Sequence, residues 1–187
     1  MDPRAAFTLN TFAGTMKLFL VRHGHALADQ EDSRRPLSAR GGEVTRSVAA
    51  FLRPSGVLAE VRAVWHSPLV RARETAEVLV KELVLDALLI ETAGLLPEDD
   101  PVAVADRLDR AEHAMMIVGH EPQLGALATL LVRGKLKPVG FEFKKNAILA
   151  LEKSGGRHKK SGRARWRVRW HFSPELLSTG RAAGDED

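Results

Sequence analysis

LFLVRHGHA, residues 18–26, sets four apolar residues against an arginine, a histidine, a glycine and a second histidine. With Met16 and Lys17 in front, the run fits a short strand buried on both faces, the kind found in parallel sheets covered by helices. In open parallel sheets the ligand site lies at the carboxyl ends of the strands. A strand that finishes in a cation and imidazoles therefore delivers them to that crevice. A second stretch has the same form: AMMIV, residues 114–118, ends in Gly119-His120-Glu121. His23 and His120 are expected to face one mouth.

The chain between and around these strands alternates in period. Ser38 can cap a helix in which Val44, Val48, Ala49 and Leu52 recur at helical spacing, with Arg53 before a terminating Pro54. VRAVW (61–65) is a second strand. Pro68 suits a helix start, and LVRARETAEVLVKEL (69–83) carries Ala72, Ala76, Leu79, Val80 and Leu83 on one side. ETAGLLPEDDP (91–101) reads as loop and VAVADRLDRA (102–111) as helix. EPQLGALATLLV (121–132) is a helix begun by Pro122. Two more strands are expected at about 146–152 and 163–172, joined by the glycine- and serine-rich KSGGRHKKSG. Strands alternating with helices predict an α/β three-layer sandwich, a mostly parallel central sheet with helices on both faces. Residues 16–178 are expected to form a single domain. The segment 1–15 shows no clear period and reads as a disordered leader or upstream start, and 179–187 as a flexible tail.

Composition narrows the classes. The 187 residues are 44% hydrophobic, enough for one domain with a sizeable core. Without cysteine, neither a disulfide framework nor a thiolate metal site can form. No apolar run approaches the ~20 residues of a membrane span, and no secretory signal stands at the N-terminus. The expected location is cytoplasmic. The net charge of +4 is local in origin. Lys153, Arg157, Lys159, Lys160, Arg163, Arg165, Arg167 and Arg169 crowd one segment without an acidic residue, and outside it acids outnumber bases.

The strand ends suggest a chemistry. After VRAVW comes HSPLVRARETA (66–76), which puts Arg71 and Arg73 in the first turn of a helix. Cations there oppose the helix dipole and want an anionic partner. Two histidines, at least two arginines and helix amino ends at one mouth describe a phosphate pocket. A neutral imidazole can attack phosphorus and hold the phosphoryl group, splitting one hard step into two. Arginine matches phosphoryl oxygens in bidentate fashion and stays charged at any working pH. Gly24 lets the backbone approach the ligand closely.

LFLVRHG, HSPLVRARETA and VGHEP, in that order, resemble the histidine phosphatase superfamily, which includes the phosphoglycerate mutases. The short length, RPLSARGGEVTRSVAAFL (35–52) and WHFSPELL (170–177) make the chain most similar to the small phosphohistidine phosphatases of the SixA type. The resemblance implies a phosphoglycerate mutase-like fold and metal-independent phosphate hydrolysis without a cofactor. It implies His23 as the phosphorylated nucleophile, Arg22 and Arg71 as arginine clamps, and His120 as the second phosphate-binding histidine. Arg73 has no assigned family role. Many relatives carry Glu or Asp after R-H-G, where this chain has His25, and the acidic lid of larger relatives is missing. Only the acidic loop Pro97-Glu98-Asp99-Asp100 lies where a proton donor is to be sought. The implied partner is a phosphorylated protein of the histidine-phosphotransfer type, or else a small phosphorylated substrate.

Other readings attach to the same residues. A small-molecule phosphomonoesterase for a sugar phosphate or nucleotide is the alternative within the class; a non-catalytic phosphate- or nucleic-acid-binding module is the alternative outside it. His23 and His25 form an H-x-H of metal-ligand type, but no second carboxylate–histidine cluster accompanies it and Arg22 would repel a cation. His66 beside Ser67 lacks a G-x-S-x-G turn to orient it. Gly41-Gly42 lacks the G-K-[ST] ending of a P-loop and reads as a loosened first helical turn. His113, His158 and His171 read as surface or packing residues. In RARWRVRW (163–170) the arginines alternate with Ala164, Trp166, Val168 and Trp170, so one face is expected to be charged and the other buried. The charged face reads as a solvated strand that discourages edge pairing, with docking of an acidic partner as the alternative. Burying the tryptophans leaves no stacking platform, which makes nucleic acid an unlikely partner.

Overall fold

The computed structural model describes residues 15–177. Apart from Thr15, the expected leader lies outside the described residues, as does the expected tail. One sheet of six strands forms the centre: β1 (Lys17–Arg22), β2 (Ala63–His66), β3 (Leu88–Glu91), β4 (Met115–Gly119), β5 (Ile148–Arg157) and β6 (Ala164–Phe172). Their order across the sheet is β3-β2-β4-β1-β5-β6. The first four run parallel, β5 returns antiparallel to β1, and β6 is antiparallel to β5. Four helices cover the sheet: α1 (Ala39–Leu52), α2 (Val70–Leu83), α3 (Pro101–Asp109) and α4 (Gln123–Arg133). The expected α/β sandwich is the one observed.

Strand alternation divides the core in two. Leu18 and Leu20 of β1, with Met115 and Ile117 of β4, pack against Val104, Ala105 and Leu108 of α3 and Leu124 and Leu127 of α4. Phe19, Val21, Met116 and Val118 point the other way, onto Val48 and Ala49 of α1 and Ala72, Ala76 and Leu79 of α2. Every apolar residue of the two central strands is thus buried, each worth roughly 1.5–3 kcal/mol. That double burial explains why β1 and β4 read as unbroken apolar runs.

One strand was not expected, and three local readings are corrected. VLDALLIE (84–91), which followed a helix and carried no alternation, contains the edge strand β3. Its Leu88 is 71% exposed, so burial did not select an apolar pattern there. The second helix begins at Val70 rather than Pro68, with Leu69 in extended backbone before it. Strand β5 runs through Ser154-Gly155-Gly156 to Arg157, so the expected turn is shorter than KSGGRHKKSG.

The third correction concerns the basic strand. Ala150 pairs with Trp170 but Leu151 pairs with Val168, so Arg169 is an extra residue in the ladder. A bulge of this kind shifts the side-chain phase by one. Trp166 therefore joins the α3–α4 core, whereas Trp170 lies on the opposite face, 5.9 Å from the Phe19 ring. The clean two-residue period is broken, and Val168 is exposed. Arg163 pairs with Asp106 and Arg169 with Glu152, while Arg165 and Arg167 are exposed.

Candidate active site

Residues 22–25 leave the carboxyl end of β1 and are fixed before any ligand is considered. Arg22 N–H bonds the Ala147 carbonyl, His23 N–H bonds the Gly119 carbonyl at 3.0 Å, and Gly24 N–H reaches Thr75 Oγ1 at 3.0 Å. Thr75 Oγ1 in turn donates to the Arg71 carbonyl. Asn146, in left-handed backbone with φ 61°, donates its N–H to the Arg22 carbonyl. One loop is thereby tied to β4, α2 and the segment before β5.

Gly24 is enclosed. A Cβ there would meet Leu37 Cδ1 at 2.7 Å and Asn146 Oδ1 and Thr45 Oγ1 at 3.1 Å. The sequence argument assigned the glycine to ligand approach; the structure adds that protein groups already fill its side. Gly41 is held more tightly, since a Cβ would lie 2.1 Å from the His25 carbonyl oxygen. Its absence of side chain lets α1 pack on the catalytic loop, which corrects the reading of a loosened turn.

His23 is buried, and its Nδ1 lies 2.6 Å from the Gly24 carbonyl oxygen. A carbonyl only accepts, so Nδ1 carries the proton and Nε2 keeps its lone pair. Arg71 Nε stands 3.4 Å from that Nε2. The His120 ring is tilted beside it with centroids 4.7 Å apart. His120 Nε2 lies 2.8 Å from Ser67 Oγ, and His120 Nδ1, though buried, has no hydrogen-bond partner among the described residues. Arg22 donates from Nη1 to the Phe143 carbonyl, and its buried Nε has no partner there either.

The electrostatics follow from this crowding. Burial, then the His120 ring, pushes the His23 imidazole down to about 3 against the opposing pull of the Gly24 carbonyl, and Arg71 and Arg22 add to the effect. Burial, then Arg71 and Arg22, pushes His120 down to about 3 as well. Both rings are therefore neutral near pH 7. The arrangement offers one imidazole lone pair, met by the Arg71 Nε–H, beside an unpartnered His120 ring nitrogen. Such a pocket can receive a tetrahedral anion and attack its centre.

All four expected site residues therefore come together: Arg22, His23, Arg71 and His120. Others fall away. Arg73 is exposed and stands 3.6 Å from Glu77. His25 is exposed and turns to Ser38 Oγ at 2.8 Å, away from His23. In the acidic loop, Asp99 accepts the Leu96 N–H and Asp100 caps α3 through the Val102 N–H. His158 packs beneath Gly134 and bonds the Leu131 carbonyl.

Sequence reasoning missed Ser67, Thr75, Asn146, Glu121 and Phe143. Glu121 Oε1 accepts the Phe143 N–H at 2.9 Å while Arg22 holds the Phe143 carbonyl, so one backbone unit is gripped from both sides. Phe143 lies in a stretch without period, and no local signal marks it. Ser67 had one: its position beside a strand-end histidine, read there as a Ser–His pair. Its hydroxyl serves the distant His120 instead, and His66 Nδ1 bonds the Ser67 carbonyl.

Comparison with known proteins agrees with this geometry. The sequence model of the histidine phosphatase superfamily (branch 1) matches residues 18–96, a span containing Arg22, His23, Gly24 and Arg71. An uncharacterised protein of Picosynechococcus sp. (strain PCC 7002) is 35% identical over 151 residues, covering 76% of this chain and 88% of its own. The solved structure of the protein histidine phosphatase SixA complexed with tungstate is 28% identical, with TM-score 0.71, covering 87% of this chain and 99% of that one. A mycobacterial glucosyl-3-phosphoglycerate phosphatase shares the fold at 17% identity, with TM-score 0.61 and coverage of 84% and 99%. Strand order, converging histidines and sequence likeness agree, and the chain belongs to the histidine phosphatase superfamily.

Proposed function

We propose that this protein is a phosphohistidine phosphatase that works through a covalent phosphohistidine on His23. The observation that carries the reading is the pinned His23 ring. With Nδ1–H held by the Gly24 carbonyl, only Nε2 is left to react, and it faces Arg71 and His120. In the first step the Nε2 lone pair attacks phosphorus as the bond to the substrate's imidazole nitrogen breaks. The positive charge gained by the His23 ring is offset by the Gly24 carbonyl. Arg22, Arg71 and His120 Nδ1–H stabilise the equatorial oxygens, since phosphoryl transfer depends mainly on positioning and charge. In the second step water attacks phosphorus and the P–Nε2 bond breaks, releasing dihydrogen phosphate and a neutral His23.

Every role is filled by a side chain, so the reaction is proposed to need no metal. The substrate class rests on what acids are at hand. Asp99, Asp100 and Glu121 each accept a backbone N–H, and among the described residues no carboxylate is hydrogen-bonded to His23 or His120. An alkoxide leaving group would need such a proton donor, whereas a protonated imidazole leaves without one. The 28% identity to SixA supports the same choice. The proposed setting is the cytoplasm.

The test compares rates on a phosphorylated histidine-transfer protein and on a panel of phosphate esters. The same protein is trapped in alkali during single turnover, and the peptide containing residue 23 is weighed. Faster turnover of the phosphohistidine protein, with phosphate on His23, is expected. Preference for an ester would assign a small-molecule phosphomonoesterase. A chain that binds phosphate but turns over nothing would be a binding module.

A further inference from the structure

The mouth of the pocket carries more positive charge than one phosphoryl group requires. The segment 35–38 closes on residues 25–27. Ser38 N–H bonds the His25 carbonyl at 2.9 Å, Leu27 N–H bonds the Pro36 carbonyl at 2.9 Å, and Ala26 and Leu37 form a β-bridge. These contacts fold the loop carrying Arg35 back onto the catalytic strand's exit, where Arg35 Nε bonds the Leu27 carbonyl at 3.3 Å. Arg40 is the second residue of α1, just past the Ser38 cap. Lys145 directly precedes Asn146, which is bonded to the Arg22 carbonyl.

These cations act on one another. Burial and then Arg22, Arg35 and Arg40 lower the Lys145 ammonium; burial and then Arg35 lower Arg71. The exposed His25 ring is lowered by residual burial, then by Lys145 and Arg40, against a raising effect of Glu31. Three nearby carboxylates are engaged elsewhere: Glu31 accepts the Ala28 N–H, Asp32 holds Arg34, and Glu74 accepts the Leu37 N–H. Among the described residues, none of Arg22, Arg35, Arg40, Arg71 and Lys145 has a carboxylate within ion-pair distance.

The arrangement costs stability in the free protein. Arg40 and Arg71 both occupy the second position of a helix whose first turn holds no acid, so each opposes its helix dipole. Arg35 adopts left-handed backbone with φ 49°, which disfavours any residue with a Cβ. Arg22, Arg71 and His120 already suffice for one phosphoryl group. We propose that Arg35, Arg40 and Lys145 form a second anion-binding locus beside the phosphoryl pocket, which recognises a further carboxylate or phosphate group on the same substrate. This rests on the phosphatase reading and names a substrate class for it: molecules with a second anion next to the scissile phosphoryl group.

The test uses the full chain and the variant Arg35→Gln/Arg40→Gln/Lys145→Gln. One phosphohistidine peptide is flanked by Asp and Glu, its twin by Asn and Gln. A small phosphorylated carboxylic acid and its methyl ester form the second pair. For each pair, the ratio of kcat/KM and the ratio of dissociation constants are measured at two salt concentrations. The wild type is expected to favour the anionic member of at least one pair about tenfold, mainly through KM and less so at high salt. In the triple variant that ratio should collapse to near one. Preference confined to the peptide pair assigns the anion to a protein; preference confined to the small pair assigns it to a metabolite. A wild-type ratio near one in both pairs, or a ratio unchanged in the variant, overturns the locus. Should no substrate turn over, the phosphatase reading fails, while the dissociation constants still decide the second locus.

Discussion

His120 Nε2 and Ser67 Oγ are 2.8 Å apart, and this bond leaves Nδ1 as the ring nitrogen without a partner among the described residues. When the serine hydroxyl donates to Nε2, the proton of the neutral ring sits on that Nδ1. Ser67 is thus a positioning residue that acts through His120.

Ser67→Ala should lower kcat about tenfold, the equivalent of one buried hydrogen bond of ~1.4 kcal/mol, with KM changed little. Ser67→Thr should recover most of the loss, because the hydroxyl returns. Equal damage from both variants, or a fall in Tm that accounts for the lost activity, would show that Ser67 only packs.

Gly41 and Gly42 are adjacent in sequence and should respond in opposite directions. A methyl at Gly41 strikes the His25 carbonyl, a backbone group that cannot yield cheaply, so Gly41→Ala should destabilise by roughly 1–3 kcal/mol or more. At Gly42 the nearest atom is the flexible Arg46 guanidinium at 3.3 Å, and Gly42→Ala should gain up to about 1 kcal/mol of helix propensity. Denaturant midpoints measure both. A stabilising Gly41→Ala would mean that α1 does not rest on the catalytic loop.

The depressed histidines make stability depend on pH. Below about 6.5 the unfolded chain protonates both imidazoles, while His23 and His120 in the folded chain stay neutral to about 3. The unfolded state binds more protons across that window, so their contribution to stability falls as pH drops from 6.5 towards 3. Substituting His120→Asn should flatten the decline in Tm. Tungstate, the oxyanion in the similar SixA complex, should oppose it by favouring protonated rings. A Tm slope identical in wild type and variant would refute the burial argument.

Chelation tests the proposed independence from metal. Activity should survive overnight dialysis against EDTA, since the donors are arginines and two histidines engaged at Nδ1 or Nε2. Loss on chelation, restored by a divalent ion, would sink the side-chain mechanism.

The basic hairpin is tested by place as much as by charge. Lys17 pairs with Glu152, and the strand beyond Glu152 runs past the start of β1, whereas His23 follows its end. At about 3.3 Å per residue the two regions lie some 17 Å or more apart. Replacing Arg165 and Arg167 by Gln should therefore leave turnover of a small phosphoramidate unchanged. A reduced rate on that substrate would show that the hairpin reaches the catalytic end.

How much of this was legible varies with the reach of the signal. Ser38 as helix cap, the apolar runs of β1 and β4, and the amphipathic faces of α1 and α2 are set by neighbours within a few residues. They could be read directly. The exposed edge strand β3 has little burial to impose a pattern, so residues 84–90 between the second helix and the acidic loop carried no assignment. The bulge at Arg169 is a property of two paired strands, and reading one strand alone kept Trp170 on the wrong face.

The sequence by itself determined the parallel sheet, the strand-end placement of Arg22, His23 and His120, and the helix-start placement of Arg71, because apolar period and chain direction are local facts. Tertiary structure alone decided which atoms of those residues can react. The His23 proton is fixed by Gly24, the His120 ring by Ser67 from another strand end, and the Arg22 guanidinium by Phe143, 121 residues away. Hydrogen bonds between groups so far apart in the chain form only when the sheet brings their segments together, and no spacing along the sequence records them.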